Sequence, residues 1–473
     1  MSQFQLLRSR RFLPLFMTQF LGAFNDNVYK NALVILIIFQ GSTLYGIDTN
    51  IIVTLSAGIF ILPFFLFSAT AGQLADKYEK SLLIRRIKWL EVVIMSVAII
   101  AFYLESVIML IALLFLMGAQ STLFSPLKYS ILPQYLETNE LTGGNGLLSM
   151  GTFLAILLGT IVGGVLVSVD WYTVVQLFSN NNQGTELLVS VGLGLYGPFI
   201  IASVVVILAI LGLIASFSIP KAEAADPELK INWNIATQTL KIMRYAQENR
   251  SVFIAILAIS WFWFVGATYL SQMPAYSKSI LGSNNQVVTL LLFMFSAGIG
   301  IGSVMCEKLS GGRIELGLVP LGAIGITVFS IDIYFASQHF VALSLPEGEM
   351  GASLFLAKSG SWRILLDLVL IGLFGGFYIV PLNAMIQKRS NPQTRARVIA
   401  ANNVLNALLM VSSALATVAA LQAGVNIPQI FLSLGILSAV ITGTLFLQLP
   451  EFVRRFTAWL HLGRIIGDRL SKK

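Results

Sequence analysis

The amino-acid sequence predicts an all-α integral membrane protein. Twelve transmembrane helices are expected, in two pseudo-symmetric six-helix halves with both termini cytoplasmic. Three observations predict it: a composition too apolar for a soluble domain, a succession of membrane-length apolar segments, and a one-sided distribution of basic residues. Of the 473 residues 56% are hydrophobic and 11% charged, whereas roughly a quarter of residues in ordinary globular chains are charged. A mean hydropathy of +0.82 leaves lipid as the natural surroundings for most of the surface.

Apolar segments fall at approximately 12–39, 51–74, 82–103, 107–125, 146–169, 187–219, 252–276, 286–306, 314–336, 362–386, 398–423 and 428–449. Each approaches the ~20 residues a membrane helix requires. Arg8, Arg10 and Arg11 precede the first segment as in a signal peptide, but the run continues to Phe39 without a small-residue cleavage site, which predicts an uncleaved first helix. With twelve spans, one set of connections and the two ends hold 26 of the 30 lysines and arginines. That set includes Lys77 to Lys88, Lys128, Lys221 to Arg250, Lys308, Arg313, Lys388 to Arg397 and the basic residues from Arg454 onward. The positive-inside rule assigns this side to the cytoplasm. The net charge of +8 is thereby a matter of topology and calls for no nucleic acid.

The longest connection on that side, about Pro220 to Arg250, divides the chain. Residues 1–219 form an N-terminal six-helix bundle, 220–250 a cytoplasmic linker, 251–450 a C-terminal bundle and 451–473 a basic cytoplasmic tail. Ile235, Ile242, Met243 and Ala246 have the spacing of a short amphipathic helix on the membrane face. Loops at about 170–186 and 337–361 lie on the opposite side. Local echoes accompany the division: Gly72-Gln73-Leu74-Ala75-Asp76-Lys77 against Gly302 to Lys308, and Ser125-Pro126-Leu127-Lys128 against Val380-Pro381-Leu382-Asn383.

Candidate site residues begin with the first segment, where Asn25, Asp26, Asn27, Lys30 and Asn31 interrupt an apolar helix near its middle. An ionised group at that depth costs about 2.5–3.5 kcal/mol on insertion scales, so it must meet a partner or a wet cavity. Asp26 and Lys30 stand one helical turn apart on one face. They are either a self-neutralised pair joining helices or a cavity wall offering an anion, a cation and amides, which suits a zwitterion. Gln120, Ser121 and Thr122 precede Lys128, an amine placed either to reach a phosphate or to extend toward lipid headgroups. Asn402, Asn403 and Asn406 join helices or bind substrate. Glu91, Asp332 and Asp367 carry protons or form salt bridges. Trp261 to Phe264 are expected as lipid-facing bulk, and Ala267 and Ser271, the approximate counterparts of Asp26 and Lys30, are uncharged.

One cysteine, Cys306, cannot form an internal disulfide or a thiolate metal cluster, and two histidines, His339 and His461, are too few for an imidazole site. The glycines at 298, 300 and 302 follow no strand and make no dinucleotide site. With no P-loop, H-E-x-x-H or G-x-S-x-G, ATP-driven pumping and those hydrolase activities have no support, and no cofactor or metal is expected.

Gly72-x-Leu74-Ala75-Asp76-Lys77, followed by Lys80 and Arg85-Arg86, resembles motif A of the major facilitator superfamily. The resemblance implies a latch of Gly72, Asp76, Lys77 and Arg86 closing on Arg395 and Arg397 at the start of the eleventh segment; the plainer reading is a solvated loop. Glu307 stands where a second copy would have Asp. Gly159 to Gly164 is partly similar to the antiporter motif C of drug exporters, with Thr160 in place of its proline.

Gly22 to Asn27, Phe124 to Pro133 and Gly143-Gly144-Asn145-Gly146 resemble the bacterial lysophospholipid transporter family, over nearly the whole chain. The likeness extends to the transporter portion of fusions with a phospholipid acyltransferase, through Leu449 to Phe456. It implies movement of lysophospholipids from the outer to the inner leaflet of the bacterial cytoplasmic membrane. Membrane lipids are then partners, any acyltransferase is a separate one, and the chain itself is not an enzyme. By motif it assigns headgroup contact to Asp26 and Lys128; Asn27, Lys30, Asn31, Gln120 and Asn402 complete the expected substrate site. The rival expectations are a proton-coupled carrier of a drug, siderophore or metabolite, and a non-transporting receptor or scaffold.

Overall fold

The computed structural model describes residues 3–39, 43–44, 47–104, 106–168, 196–342 and 349–470. A long helix lies in each of the twelve apolar segments. In the first half these are α1 (Leu13–Phe39), α2 (Thr49–Lys77), α3 (Lys80–Tyr103), α4 (Val107–Ser130), α5 (Leu141–Ser168) and α6 (Tyr196–Phe217). The linker contains α7 (Ile235–Glu248). There follow α8 (Arg250–Ala275), α9 (Asn285–Ser310), α10 (Leu318–Ala342), α11 (Ser361–Arg389), α12 (Arg395–Gln422), α13 (Ile427–Gln448) and the tail helix α14 (Glu451–Leu470). Among the described residues, ten helices are long and apolar enough to cross a membrane. Of the twelve helices in the apolar segments, α1 and α3 fall outside that criterion. The predicted loop at 170–186 lies outside the described residues, as does part of the one at 337–361.

Several ends differ from expectation for identifiable reasons. α4 continues through Pro126 to Ser130, because a proline removes one backbone donor and surrounding helices hold the rest in place. α10 starts at Leu318, four residues later than expected. Gly311 and Gly312 adopt left-handed conformations (φ 59° and 71°) that cap α9 and turn the chain before α10 begins.

The packing of the first six long helices recurs in the last six. α1 lies against α5 and α6, α2 against α4, and α3 against α4 and α6. Correspondingly α8 lies against α12 and α13, α9 against α11, and α10 against α11 and α13. Between the halves the contacts exchange in the same way, α2 with α12 and α5 with α9. Small residues permit these approaches, as is usual where lipid offers no hydrophobic drive for association. A Cβ at Gly159 would stand 2.7 Å from the Asn27 Cβ, so this glycine brings α5 onto the polar face of α1.

Both chain ends gather at one end of the bundle. Gln3 donates to the Val304 carbonyl at 2.7 Å and Trp459 Nε1 to the Leu309 carbonyl at 3.1 Å. At this end the halves are sewn together by reciprocal amide bonds between Asn145 and Gln387, at 2.8 and 2.9 Å. Toward the opposite end the helices enclose a cavity.

Candidate functional site

The cavity, of about 500 Å³, lies between the halves and draws on α1, α2, α3, α4, α5, α8, α11 and α12. Every residue expected in the substrate site lines it: Asp26, Asn27, Lys30, Asn31, Gln120, Lys128 and Asn402. The two sides differ in chemistry. The lysines and the one carboxylate come from α1, α3 and α4, whereas α11 and α12 offer the amides of Asn383, Asn402, Asn403 and Asn406. Farther from the joined end the wall becomes apolar with Val34, Val53, Ile61, Leu270 and Met410. α2 and α12, which bound it there, are the least enclosed of the ten spanning candidates: 22% of each apolar window is buried, against 72% for α11.

Asp26 and Lys30 share the cavity without forming an ion pair. The Asp26 carboxylate accepts a hydrogen bond from Ser121 Oγ at 2.6 Å. The Lys30 amine lies 4.8 Å over the Phe60 ring, and the Lys128 amine 5.0 Å over the Tyr129 ring. Among the described residues, neither amine has a carboxylate within ion-pair distance. The Asn27 and Asn31 side-chain amides donate to carbonyls one turn back on α1, and Asn31 also donates to Thr160 Oγ1 at 3.2 Å. Their oxygens remain as acceptors beside the charged groups.

A second charge pair lies beside this face. Counted from sequence among the loop charges, Lys88 is in fact 1% exposed and bonded to Glu91 Oε2 at 2.6 Å, one turn along α3. Glu91 also accepts from Asn25 Nδ2 at 3.1 Å and Gln120 Nε2 at 2.9 Å. Gln120, expected to meet substrate, thus spends its donor on Glu91 while still facing the cavity. Gly22 makes room for the pair, since a Cβ there would fall 2.5 Å from the Lys88 amine. The Glu91 carboxylate is thus met by an amine and two amide donors, which a buried ion pair requires if it is not to be costly, while the Asn25 side-chain oxygen has no hydrogen-bond partner among the described residues.

The aromatic run of α8 also differs from expectation. Trp261 and Phe262 are buried, Trp261 donates to Ser438 Oγ at 3.2 Å, and Trp263 borders the cavity. Asp332 forms an ion pair with Arg363, while one oxygen of buried Asp367 has no hydrogen-bond partner among the described residues.

At the joined end Asp76 meets the start of α12. Its carboxylate accepts from the backbone amides of Ala396 (3.1 Å) and Arg397 (3.3 Å) and from Arg397 Nε at 2.9 Å. A helix N-terminus with its unpaired amides suits such an anion. Arg397 Nη2 reaches Asp226 at 3.0 Å, which ties the linker to the same knot. Gly72 permits the crossing, because a Cβ there would lie 2.8 Å from Ala400 Cβ and 2.9 Å from Arg397 Cα. Of the other expected latch residues, Arg395 begins α12 beside this contact, whereas Lys77 and Arg86 make no bond to Asp76 or Arg397 among the described residues. Lys77 lies over the Tyr78 ring, Arg86 is exposed without a bond among the described residues, and Arg395 Nε is buried without a hydrogen-bond partner. Sequence reasoning placed Glu79 nowhere, yet it caps α3 and accepts from Ala222 N at 2.8 Å. Burial raises its carboxyl, but the hydrogen bonds from Ala222, Ser81 and Leu82 outweigh that and hold it below the usual range.

The corresponding contact between α5 and α9 is built differently. Glu307 accepts from Gln3 N at 3.2 Å, and Gly146 packs on the Ser303 backbone. One crossing therefore carries a buried ion pair and the other only neutral donors.

The family model of the Major Facilitator Superfamily matches residues 15–411. The chain belongs to that superfamily. Among curated proteins it is similar to the lysophospholipid transporter LplT of Escherichia coli O1:K1 / APEC and of Shigella boydii serotype 4 (strain Sb227). Each is 27% identical over 395 residues, covering 82% of this chain and 83% of the relative. Among solved structures it is similar to the superfamily transporter FucP in the outward conformation, with TM-score 0.65 and 14% identity over 92% of this chain and 98% of that one. The human organic anion transporter MFSD10 (TETRAN) has TM-score 0.65 and 12% identity over 92% and 99%. These likenesses give the major facilitator fold; the polar cavity between its halves is the candidate site.

Proposed function

We propose that this chain carries lysophospholipids from the outer to the inner leaflet of a bacterial cytoplasmic membrane by alternating access. Twelve spans then cross the membrane, with both termini in the cytoplasm. Residues 1–219 and 251–450 rock against each other, joined by the linker at 220–250 and followed by the tail from 451. The observation that carries the reading is the two-part cavity: a polar pocket around Asp26, Lys30 and Lys128 continuing into an apolar region bounded by two poorly enclosed helices. Similarity to LplT over 82% of the chain supports the same substrate class.

The mechanism follows from the substrate's two ends. Each methylene gains about 0.8 kcal/mol in lipid, so the acyl chain stays there while the head enters the pocket. Lys30 and Lys128 hold the phosphate, Asp26 takes a hydroxyl or ammonium, and Asn27, Asn31, Gln120 and Asn402 border the head. With the Asp76 knot closed, the cavity serves the outer leaflet; its opening releases the head inward. The delivered lysolipid becomes substrate for a phospholipid acyltransferase.

The test is uptake of labelled lysophospholipid into proteoliposomes. An Asp26→Ala variant of normal abundance is expected to lose most uptake. Undiminished uptake overturns the assigned head site, and proton-dependent uptake of a soluble compound without lysolipid competition overturns the substrate class.

A further inference from the structure

The charges inside the cavity are unequal, and the inequality bears on which headgroup is taken. Among the described residues, four lysines and acids line it, Asp26, Lys30, Lys88 and Lys128, and Glu91 touches the lining residue Gln120. Lys88 and Glu91 close on each other at 2.6 Å with 1% and 2% exposure, and Glu91 is further occupied by Asn25 and Gln120. This pair presents no open charge. What remains toward the substrate is one carboxylate, held by a neutral hydroxyl, and two amines lying over aromatic rings. The lining from α11 and α12 adds amides and no acid or base.

We infer that the head site selects lysophospholipids with a net negative headgroup over zwitterionic ones, and that Lys30 sets this preference. The inference deepens the lysolipid reading and rests on it. With Asp26, Lys30 and Lys128 ionised, the open groups sum to one positive charge. A phosphodiester ending in a neutral polyol brings one negative charge and leaves the closed cavity neutral. Both amines then face the phosphate, and Asp26 and the asparagines face hydroxyls. A phosphoethanolamine head adds an ammonium; Asp26 takes it, the phosphate serves one lysine, and the second amine stays uncompensated. An unpaired charge away from water is costly. Lys30 is the decisive residue because without it the open charges are Asp26 and Lys128, matched to a zwitterion.

The experiment measures binding to the full chain in phosphatidylcholine nanodiscs, with lysophosphatidylglycerol and lysophosphatidylethanolamine compared on wild type, Lys30→Met and Lys30→Arg. Wild type is expected to bind lysophosphatidylglycerol about tenfold more tightly, the scale of selectivity that an electrostatic mismatch produces. The ratio should fall to about one in Lys30→Met and persist in Lys30→Arg. Equal affinity in wild type, or tighter binding of lysophosphatidylethanolamine, overturns the inference while leaving lysolipid transport standing. So does a Lys30→Met variant that keeps the wild-type ratio. Binding of neither lysolipid overturns the transport reading itself.

Discussion

Asp76 and Arg397 are 321 positions apart in the chain and meet at 2.9 Å, with side chains 1% and 5% exposed. Their contact joins α2 of one half to α12 of the other at the end of the cavity farthest from its apolar mouth. Removing one partner of a buried pair costs about 3–5 kcal/mol, chiefly because the other is left uncompensated. An Asp76→Ala variant is therefore expected to shift the carrier toward the state open at the joined end. A cysteine placed at Ser125 should then become reactive to a membrane-impermeant thiol reagent from the cytoplasmic face; unchanged labelling refutes the latch.

The Lys88 and Glu91 pair gives a second test. Lys88→Met alone leaves a buried carboxylate and is expected to lower stability by about 3–5 kcal/mol. Adding Glu91→Gln removes that charge, and most of the loss should be recovered. Thermal unfolding of the four species in detergent reads the cycle, and additive losses contradict a self-satisfied pair.

Ser121 holds Asp26 with a 2.6 Å hydrogen bond. Hydrogen bonds to charged groups contribute about 1.5–3 kcal/mol. Ser121→Ala should weaken lysolipid binding about tenfold or more if the bond orients the carboxylate for the head. Ser121→Thr should keep most affinity. Isothermal binding curves decide between these outcomes.

The tail offers a pH test outside the membrane. The hydrogen bond from Arg389 leads the influences on Glu451, and its carboxyl is held below the ordinary value. A folded value below the unfolded one means the docking contribution is full above the ordinary carboxylate range and is lost as pH falls through the lowered value. Proteolysis after Arg454 and Arg455 by an acid-tolerant protease should accelerate on acidification, and the acceleration should be absent in Glu451→Gln.

What could be read from the sequence follows from how strongly a residue's surroundings are dictated. An aspartate and a lysine in mid-helix must face something other than lipid, so Asp26 and Lys30 in the sequence call for either a partner or a cavity. Gly72 and Asp76 belong to a compact motif, and their partner helix was named. Lys88 escaped because its position near a helix start resembles that of a loop charge. Its signals were Glu91 one turn on and Gly22 on a neighbouring helix, and the second is visible only once α1 and α3 are packed together. The same motif groups Lys77 and Arg86 with the latch, whereas Lys77 lies over the Tyr78 ring and Arg86 is exposed. Trp261 and Phe262, expected against lipid, are buried in the protein, because lipid and protein interior are equally apolar and the pattern does not separate them.

The poor enclosure of α2 and α12 beside the cavity has a consequence for breadth of use. If the protein builds no walls around the hydrocarbon, it has no ruler for length or unsaturation, and fatty tails of many kinds can pass behind the same head. Discrimination is then confined to a few polar groups on α1 and α4, where a single substitution can retune the cargo without disturbing the moving parts.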